Sequence, residues 1–146
     1  MGVFFMLVGT YEHKIDSKYR IVLPSKFREE LGDKVFSTIG IDSCLSLYSP
    51  SGWENVMKRL QDLPFSKSRS RGFLRLLLSS AHELPVDGAG RILLPQVLRQ
   101  HGELETDVVF VGVSDHVELW DRTKWEEYRE GILAELPDIA EGVDGF

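Results

Sequence analysis

One short stretch occurs twice in this chain, and this repetition limits the possible folds more than any other feature. Residues 16–24 read Asp-Ser-Lys-Tyr-Arg-Ile-Val-Leu-Pro, and residues 87–95 read Asp-Gly-Ala-Gly-Arg-Ile-Leu-Leu-Pro. Asp, Arg, Ile, Leu and Pro recur at equivalent positions under a shift of 71 residues. Each copy is typical of a polar turn that ends in arginine, a short apolar strand, and a proline that opens a helix.

The similarity continues beyond this stretch. After one inserted residue the shift becomes 72, and the matched pairs include Gly40 with Gly112, Leu47 with Leu119, and Trp53 with Trp125. The pattern predicts two copies of one unit: strand, turn, strand, short helix, strand, strand, helix. One unit alone would expose too much apolar surface, so we expect an α+β fold in which the copies pack around a pseudo-two-fold axis.

The elements of the first copy can be predicted in order. We expect strands at 9–15 and 20–23 around a turn at 16–19, then a hairpin with strands at 34–39 and 44–48. Pro24 fits the first helical position, where its missing N–H costs nothing. Gly32 fits the position after the helix end, as Gly102 does in the second copy.

Later segments follow the same logic. Ser49 fits a helix N-cap, with Tyr48 and Trp53 placed to form a hydrophobic staple, and Asp121 fits the cap in the second copy. The apolar run 66–80 predicts a helix that joins the copies, and the run 3–8 predicts an opening strand. We therefore divide the chain into a first module at 9–55, connecting helices at 56–79, a second module at 80–126, and a helix end with a frayed acidic tail at 127–146.

Composition restricts the class of protein. The chain has 146 residues, of which 42% are hydrophobic and 27% charged, as expected for a soluble globular protein. The single Cys44 excludes an internal disulfide, and its apolar surroundings predict a buried, inert thiol. No apolar run is long enough to span a membrane and no signal peptide is recognisable, so we expect a cytoplasmic protein.

Charge is distributed unevenly along the chain. The net charge is −6, which argues against general affinity for nucleic acid. Residues 14–75, however, hold 12 Lys and Arg against 7 Asp and Glu, whereas residues 76–146 hold 5 against 15. The first half could attract phosphate while the second repels it, or the two could simply be solvated faces.

Catalytic and metal-binding patterns are weak. The four histidines at 13, 82, 101 and 116 lack metal-ligand spacing, and the sequence has neither a phosphate-binding glycine loop nor a nucleophile elbow. Asp16 and Asp87 fit carboxylates that accept backbone N–H groups within a turn better than paired catalytic acids. We therefore expect no enzyme activity, no metal and no cofactor.

The repeated arginines are candidate functional residues. Arg20 and Arg91 lie where turn becomes strand, so each is either held by the Asp of its turn or projects from the hairpin tip. A projecting pair related by a two-fold axis is what a two-stranded ribbon would carry into a DNA groove. Nearby cations could then contact phosphates: Lys14, Lys18, Lys26 and Arg28.

These residues resemble the MraZ family. The resemblance is carried by Gly-Thr-Tyr-Glu-His at 9–13, both Asp-x-x-x-Arg stretches, Phe-Arg-Glu-Glu-Leu at 27–31, Val-Gly-Val at 111–113 and Glu-Leu-Trp-Asp at 118–121. It covers about residues 9–128. The family usually has Gly before the first Arg, where this chain has Tyr19; Gly90 keeps that residue in the second copy. If the position requires a positive φ, either Tyr19 is strained or the first turn has another shape.

The resemblance implies a fold of two swapped-hairpin AbrB-like modules with a β-barrel-like core and short flanking helices. It also implies a ring-shaped homo-oligomer and a nucleoid-associated bacterial regulator of the division and cell-wall gene cluster. The DNA-contacting arginines of the family correspond to Arg20 and Arg91, and its aspartates to Asp16 and Asp87. We therefore predict a sequence-specific double-stranded DNA-binding regulator acting on repeated promoter boxes. The alternative is a protein-interaction module of the swapped-hairpin antitoxin type.

Overall fold

The structure, a computed structural model, describes residues 6–146. The fold is α+β, with antiparallel sheets and six helices within that range. The first copy comprises β1 (Thr10–Lys14), β2 (Arg20–Val22), α1 (Ser25–Leu31), β3 (Lys34–Ile39), β4 (Cys44–Tyr48) and α2 (Pro50–Gln61). Then follow α3 (Ser68–Ser79), β5 (His82–Pro85), β6 (Arg91–Leu93), α4 (Gln96–Gly102), β7 (Asp107–Gly112), β8 (Val117–Asp121), α5 (Arg122–Ala134) and α6 (Leu136–Glu141).

The two copies are intertwined through their strands. Six strands form one sheet in the order β1-β7-β8-β4-β3-β5, in which every neighbouring pair is antiparallel. The first strand of each copy pairs with the third strand of the other copy, while β4 and β8 meet at the centre. Strands β2 and β6 form a separate two-stranded ribbon, which we call the ribbon. The strand order is therefore the same from either end of the sheet when the two copies are exchanged.

One hydrophobic core joins the sheet to the ribbon. Ile21 and Ile92 lie opposite each other on the ribbon and are each 1% exposed. They belong to the same cluster as Phe27 of α1 and Leu98 of α4 and the alternate residues of the large sheet. Because alternate strand residues point to opposite faces, the ribbon must present its remaining side chains to solvent. The core thus fixes which ribbon residues face outward.

Local predictions for caps and the hairpin are confirmed. Strands β3 and β4 have the predicted bounds. Ser49 Oγ accepts a hydrogen bond from Gly52 N at 3.1 Å, and Asp121 accepts one from Lys124 N at 3.1 Å. The predicted staple is present, with the Tyr48 and Trp53 ring centroids 5.9 Å apart. These contacts span few residues, so the sequence alone specifies them.

Several helix predictions were wrong in detail. Pro24 is the N-cap of α1, which begins at Ser25. Gly102 is the last residue of α4, and Glu103 takes the left-handed cap position with φ 50°. The tail predicted to be frayed contains helix α6, because Pro137 lies in its first turn, where a missing N–H is tolerated.

Within the described residues, the predicted opening strand and the predicted connecting helix are joined to the rest of the fold by few hydrogen bonds. Of the opening strand predicted at 3–8, residues 3–5 lie outside the described range, and Leu7 forms a single bridge to Ser114. Helix α3 is bonded to the sheet through Thr38 Oγ1, which donates to Leu77 O at 2.6 Å, but it has no buried residue. No helix within residues 6–146 is long and apolar enough to cross a membrane.

Candidate nucleic-acid interface

Both repeated turns are built around an aspartate. Asp16 Oδ1 accepts hydrogen bonds from the backbone N–H groups of Lys18 and Arg20, each at 2.9 Å. Asp87 Oδ1 accepts the equivalent bonds from Ala89 and Arg91, also at 2.9 Å. In each turn the backbone N–H of the arginine donates a hydrogen bond to the carboxylate, and this bond favours the charged form. Desolvation acts in the opposite direction but is outweighed, so the pKa of each carboxyl lies below its ordinary value. Each aspartate therefore accepts two backbone hydrogen bonds within its own turn.

Each aspartate also holds the arginine that ends its turn. Arg20 Nε donates to Asp16 Oδ2 at 2.9 Å, and Arg91 Nε donates to Asp87 Oδ2 at 2.8 Å. Within residues 6–146 the terminal Nη atoms of both guanidinium groups donate no hydrogen bond. Both side chains remain about one-third exposed, at 31% and 33%. The sequence left open whether each arginine is held by its aspartate or projects from the turn, and the geometry combines both. Nε orients the guanidinium group, and its two Nη atoms remain available as donors.

The register of the ribbon places both arginines on its outer face. Arg20 lies opposite Leu93, and Val22 lies opposite Arg91. Since Ile21 and Ile92 face the core, these four residues share the solvent side. Diagonal partners in an antiparallel pair lie roughly 7–8 Å apart, so the two arginines flank a small apolar centre. Val22 and Leu93, which were not among the residues predicted from the sequence motifs, are 44% and 58% exposed.

The two turns have the same shape although they differ in sequence. Tyr19 has φ 62° and Gly90 has φ 80°, so the left-handed position is kept in the first turn without glycine. Leu94 N donates to Tyr19 O and Leu23 N donates to Gly90 O, each at 2.9 Å, which extends the ribbon symmetrically. Of the two possibilities left open by the sequence, Tyr19 accepts the strained conformation. Arg20 is therefore oriented by the first turn in the same way as Arg91 is by the second.

The expected phosphate-contacting residues differ in whether they form an ion pair. Lys14 forms an ion pair with Asp107 at 3.2 Å, whereas Lys18, Lys26 and Arg28 are exposed and have no ion pair within the described range. The Arg28 guanidinium lies so close to Gly90 that a Cβ there would overlap it.

The first turn has a counterpart of this contact that was not predicted from the sequence. Arg99, which is equivalent to Arg28, has its Cζ 3.6 Å from the centroid of the Tyr19 ring. The sequence shows that Arg28 and Arg99 occupy equivalent positions in the two copies. It does not specify that each arginine reaches the turn of the other copy. Each turn is thus completed by an arginine from the opposite copy.

Other groups with chemical potential lie away from the ribbon. Cys44 is fully buried, and burial raises the pKa of its thiol above the ordinary value. His116 donates to Asp115 at 2.7 Å and lies 3.9 Å from Glu118. Within residues 6–146 no group of three His, Cys, Asp or Glu side chains is arranged to hold a metal ion.

The family model and the curated relatives that match this chain carry the same family name. A family model described as "MraZ protein" and antitoxin-like matches the chain twice, at residues 6–76 and 77–141. Curated relatives named "Transcriptional regulator MraZ" include one from Caldanaerobacter subterraneus subsp. tengcongensis, 48% identical over 97% of this chain and 99% of its own length. Others come from Acetivibrio thermocellus, 48% identical over 93% and 95%, and from Clostridium tetani, 42% identical over 93% and 95%. Since the match is repeated and spans nearly the whole chain, the chain belongs to the MraZ family.

Proposed function

We propose that this protein is a transcription regulator that binds double-stranded DNA sequence-specifically through the outer face of the ribbon. The observation that carries the proposal is the pair of guanidinium groups of Arg20 and Arg91, each oriented through Nε by an aspartate and each with free Nη donors. An oriented guanidinium can donate two hydrogen bonds to guanine O6 and N7 in the major groove. These relatives are all named transcriptional regulators, which supports the same function for this chain.

Phosphate contacts would set the register of the complex. Lys18, Lys26 and Arg28 are exposed cations of the first copy, and Lys14 can exchange its partner Asp107 for a phosphate because exposed ion pairs are worth only about 0–1 kcal/mol. The first turn carries Lys18 where the second carries Ala89, so the first tip is the more cationic. We assign Arg20 the larger share of the affinity for this reason.

We further propose that the two copies form swapped-hairpin modules with a β-barrel-like core. The exchange of first strands between the copies, in which β1 pairs with β7 and β5 with β3, supports this interpretation. The modules would span 9–55 and 80–126, with connecting helices at 56–79 and the C-terminal helix end and tail at 127–146.

Self-association into a ring would multiply the single contacts. Helix α3 carries Arg69, Arg71 and Arg75, has no acidic residue, and exposes Phe73 and Leu76 at 41% and 59%. Helices α5 and α6, with the residue between them, carry six acidic side chains and expose Ile132, Leu133 and Leu136 at 38%, 53% and 49%. Two different apolar faces of opposite charge favour head-to-tail contact between copies of the chain, and such contacts form a ring where the rotation between successive copies closes.

A ring would present many ribbons, so repeated promoter boxes would be bound together through effective concentration. The resemblance to the family directs the proposal to the division and cell-wall gene cluster and to a cytoplasmic, nucleoid-associated protein. The antitoxin-like description of the family model favours one alternative, a protein-interaction module. Isolation of the protein with a stoichiometric protein partner, and without DNA retention, would support that alternative instead.

The test is a gel-shift series on the DNA directly upstream of the protein's own coding sequence. Arg20→Ala should lose about 1–3 kcal/mol of discrimination between this DNA and a scrambled duplex, because the guanine contact is removed while Asp16 still orders the turn. Lys67→Ala, on the cationic segment that precedes α3, is the matched loss of one charge and should leave discrimination unchanged. An Arg20→Ala protein that still prefers the upstream DNA as strongly as wild type would refute the assignment.

A further inference from the structure

Arg99 is a guanidinium group that the ribbon holds in place but does not neutralise. Its side chain begins on α4 of the second copy, yet its Cζ lies 3.6 Å from the centroid of the Tyr19 ring in the first copy. Its Nε donates to Leu94 O at 3.0 Å. Within residues 6–146 neither Nη atom has a recorded hydrogen bond or ion pair. Two contacts therefore orient the group, and its remaining donors are free.

These side chains line an open groove beside the first turn. The groove has a volume of about 510 Å³, and its walls include Tyr19, Arg99, Gln96 and Leu93. Glu83 is the one acidic residue among those that line it, all of which belong to the described part of the chain. Glu83 forms an ion pair with Lys34 at 2.8 Å, so its charge is already balanced. The positive charge of Arg99 consequently dominates the groove.

We propose that this groove binds a backbone phosphate of DNA, with Arg99 as the binding residue and Tyr19 as the residue that positions it. The inference rests on the proposed function and extends it to a site that the motifs do not contain. The two free Nη donors of a planar guanidinium match the oxygens of a phosphate. Tyr19 holds that plane through a cation–π contact, and Leu94 O holds it through one hydrogen bond.

The equivalent place in the second turn is less suited to an anion. Gly90 supplies no ring there, and Arg28 lies directly against the backbone. The groove beside it, of about 340 Å³, is lined by Arg28 together with the acidic residues Glu29 and Asp33, neither of which forms an ion pair within residues 6–146. Carboxylates near a phosphate weaken its binding. The two tips are thus unequal, and the first carries the stronger phosphate site.

Fluorescence anisotropy with the upstream duplex at several salt concentrations tests this assignment. Arg99→Ala should weaken binding about tenfold at moderate salt, as for loss of a charged hydrogen-bonding group. It should also make the plot of log Kobs against log salt less steep, reducing the magnitude of the negative slope by about 0.9 for each subunit bound, because one phosphate contact is lost. Arg28→Ala removes the equivalent arginine beside the second turn, and its effect should be clearly smaller because Glu29 and Asp33 line that groove. Lys67→Ala is the control for the loss of one charge and should leave the salt slope unchanged.

Substitutions of Tyr19 separate positioning from folding. Tyr19→Phe keeps the ring and should bind as wild type. Tyr19→Asn removes the ring but tolerates the left-handed backbone, so it should weaken binding several-fold with a nearly unchanged salt slope, since Arg99 keeps its charge. Arg99→Lys retains the charge without the planar donors and should behave like Tyr19→Asn. These variants carry the test if Arg99→Ala does not fold.

The outcomes are distinguishable. If wild type binds the duplex and Arg99→Ala, folded by circular dichroism, keeps both affinity and salt slope, the phosphate site is refuted and the proposed function stands. Equal losses in Arg28→Ala and Arg99→Ala would overturn the asymmetry between the tips. A wild-type protein that binds no duplex would overturn the proposed function together with this inference.

Discussion

At the residue scale, His116 combines burial with two neighbouring carboxylates. Burial opposes its charged form, but the carboxylates of Glu118 and Asp115 outweigh burial and raise the pKa of His116 above its ordinary value of 6.5. A raised folded-state pKa means that the stabilisation is complete below pH 6.5 and is lost as pH rises through the folded-state value.

We therefore predict that the free energy of unfolding falls as pH rises above about 6.5. Urea titrations across this range would measure the decrease, and His116→Gln should flatten it because the titrating group is gone. A variant with the same pH dependence as wild type would show that another group is responsible. Protein concentration must be equal throughout, since the proposed self-association would also contribute to apparent stability.

At the scale of the element, the two repeated turns show how a shared backbone shape constrains different residues. Gly90 combines φ 80° with close approach of the Arg28 guanidinium. We predict that Gly90→Ala lowers the free energy of unfolding by about 1–2 kcal/mol, because the Cβ is strained and displaces Arg28. Gly72→Ala in α3, where a Cβ meets nothing within 4 Å, is the control and should raise it by up to about 1 kcal/mol. Urea denaturation would measure both, and equal signs would contradict the argument.

At the scale of the whole molecule, the head-to-tail contact can be tested by complementation. Leu76→Glu on α3 and Leu133→Lys on α5 should each prevent assembly beyond the monomer, because each buries in the apolar contact a charge of the same sign as the opposite face. Each variant retains one intact face. An equimolar mixture should therefore form dimers of one copy of each variant, measured by light scattering after size exclusion. A mixture that remains monomeric, or single variants that still form large assemblies, would exclude this interface.

Predictability from sequence differed sharply with the range of the contact. The turn built on Asp16, the N-cap at Ser49 and the hairpin 34–48 were predictable because each depends on residues within a few positions of one another. The order of the large sheet was not predictable, since β1 pairs with β7 across nearly a hundred residues. The sequence likewise left open whether Arg20 is held or free, because both states use the same five residues.

The sequence by itself determined that this protein contains one unit twice, with an arginine at the end of each aspartate-centred turn. It did so because turn chemistry and apolar periodicity are local properties of the chain. Only the tertiary structure decided that the two short strands form one ribbon and that Arg20 and Arg91 share its outer face. It also decided that Arg28 and Arg99 cross to the opposite turns. The physical reason is that these contacts form between surfaces of the two copies, whose mutual packing no local pattern encodes.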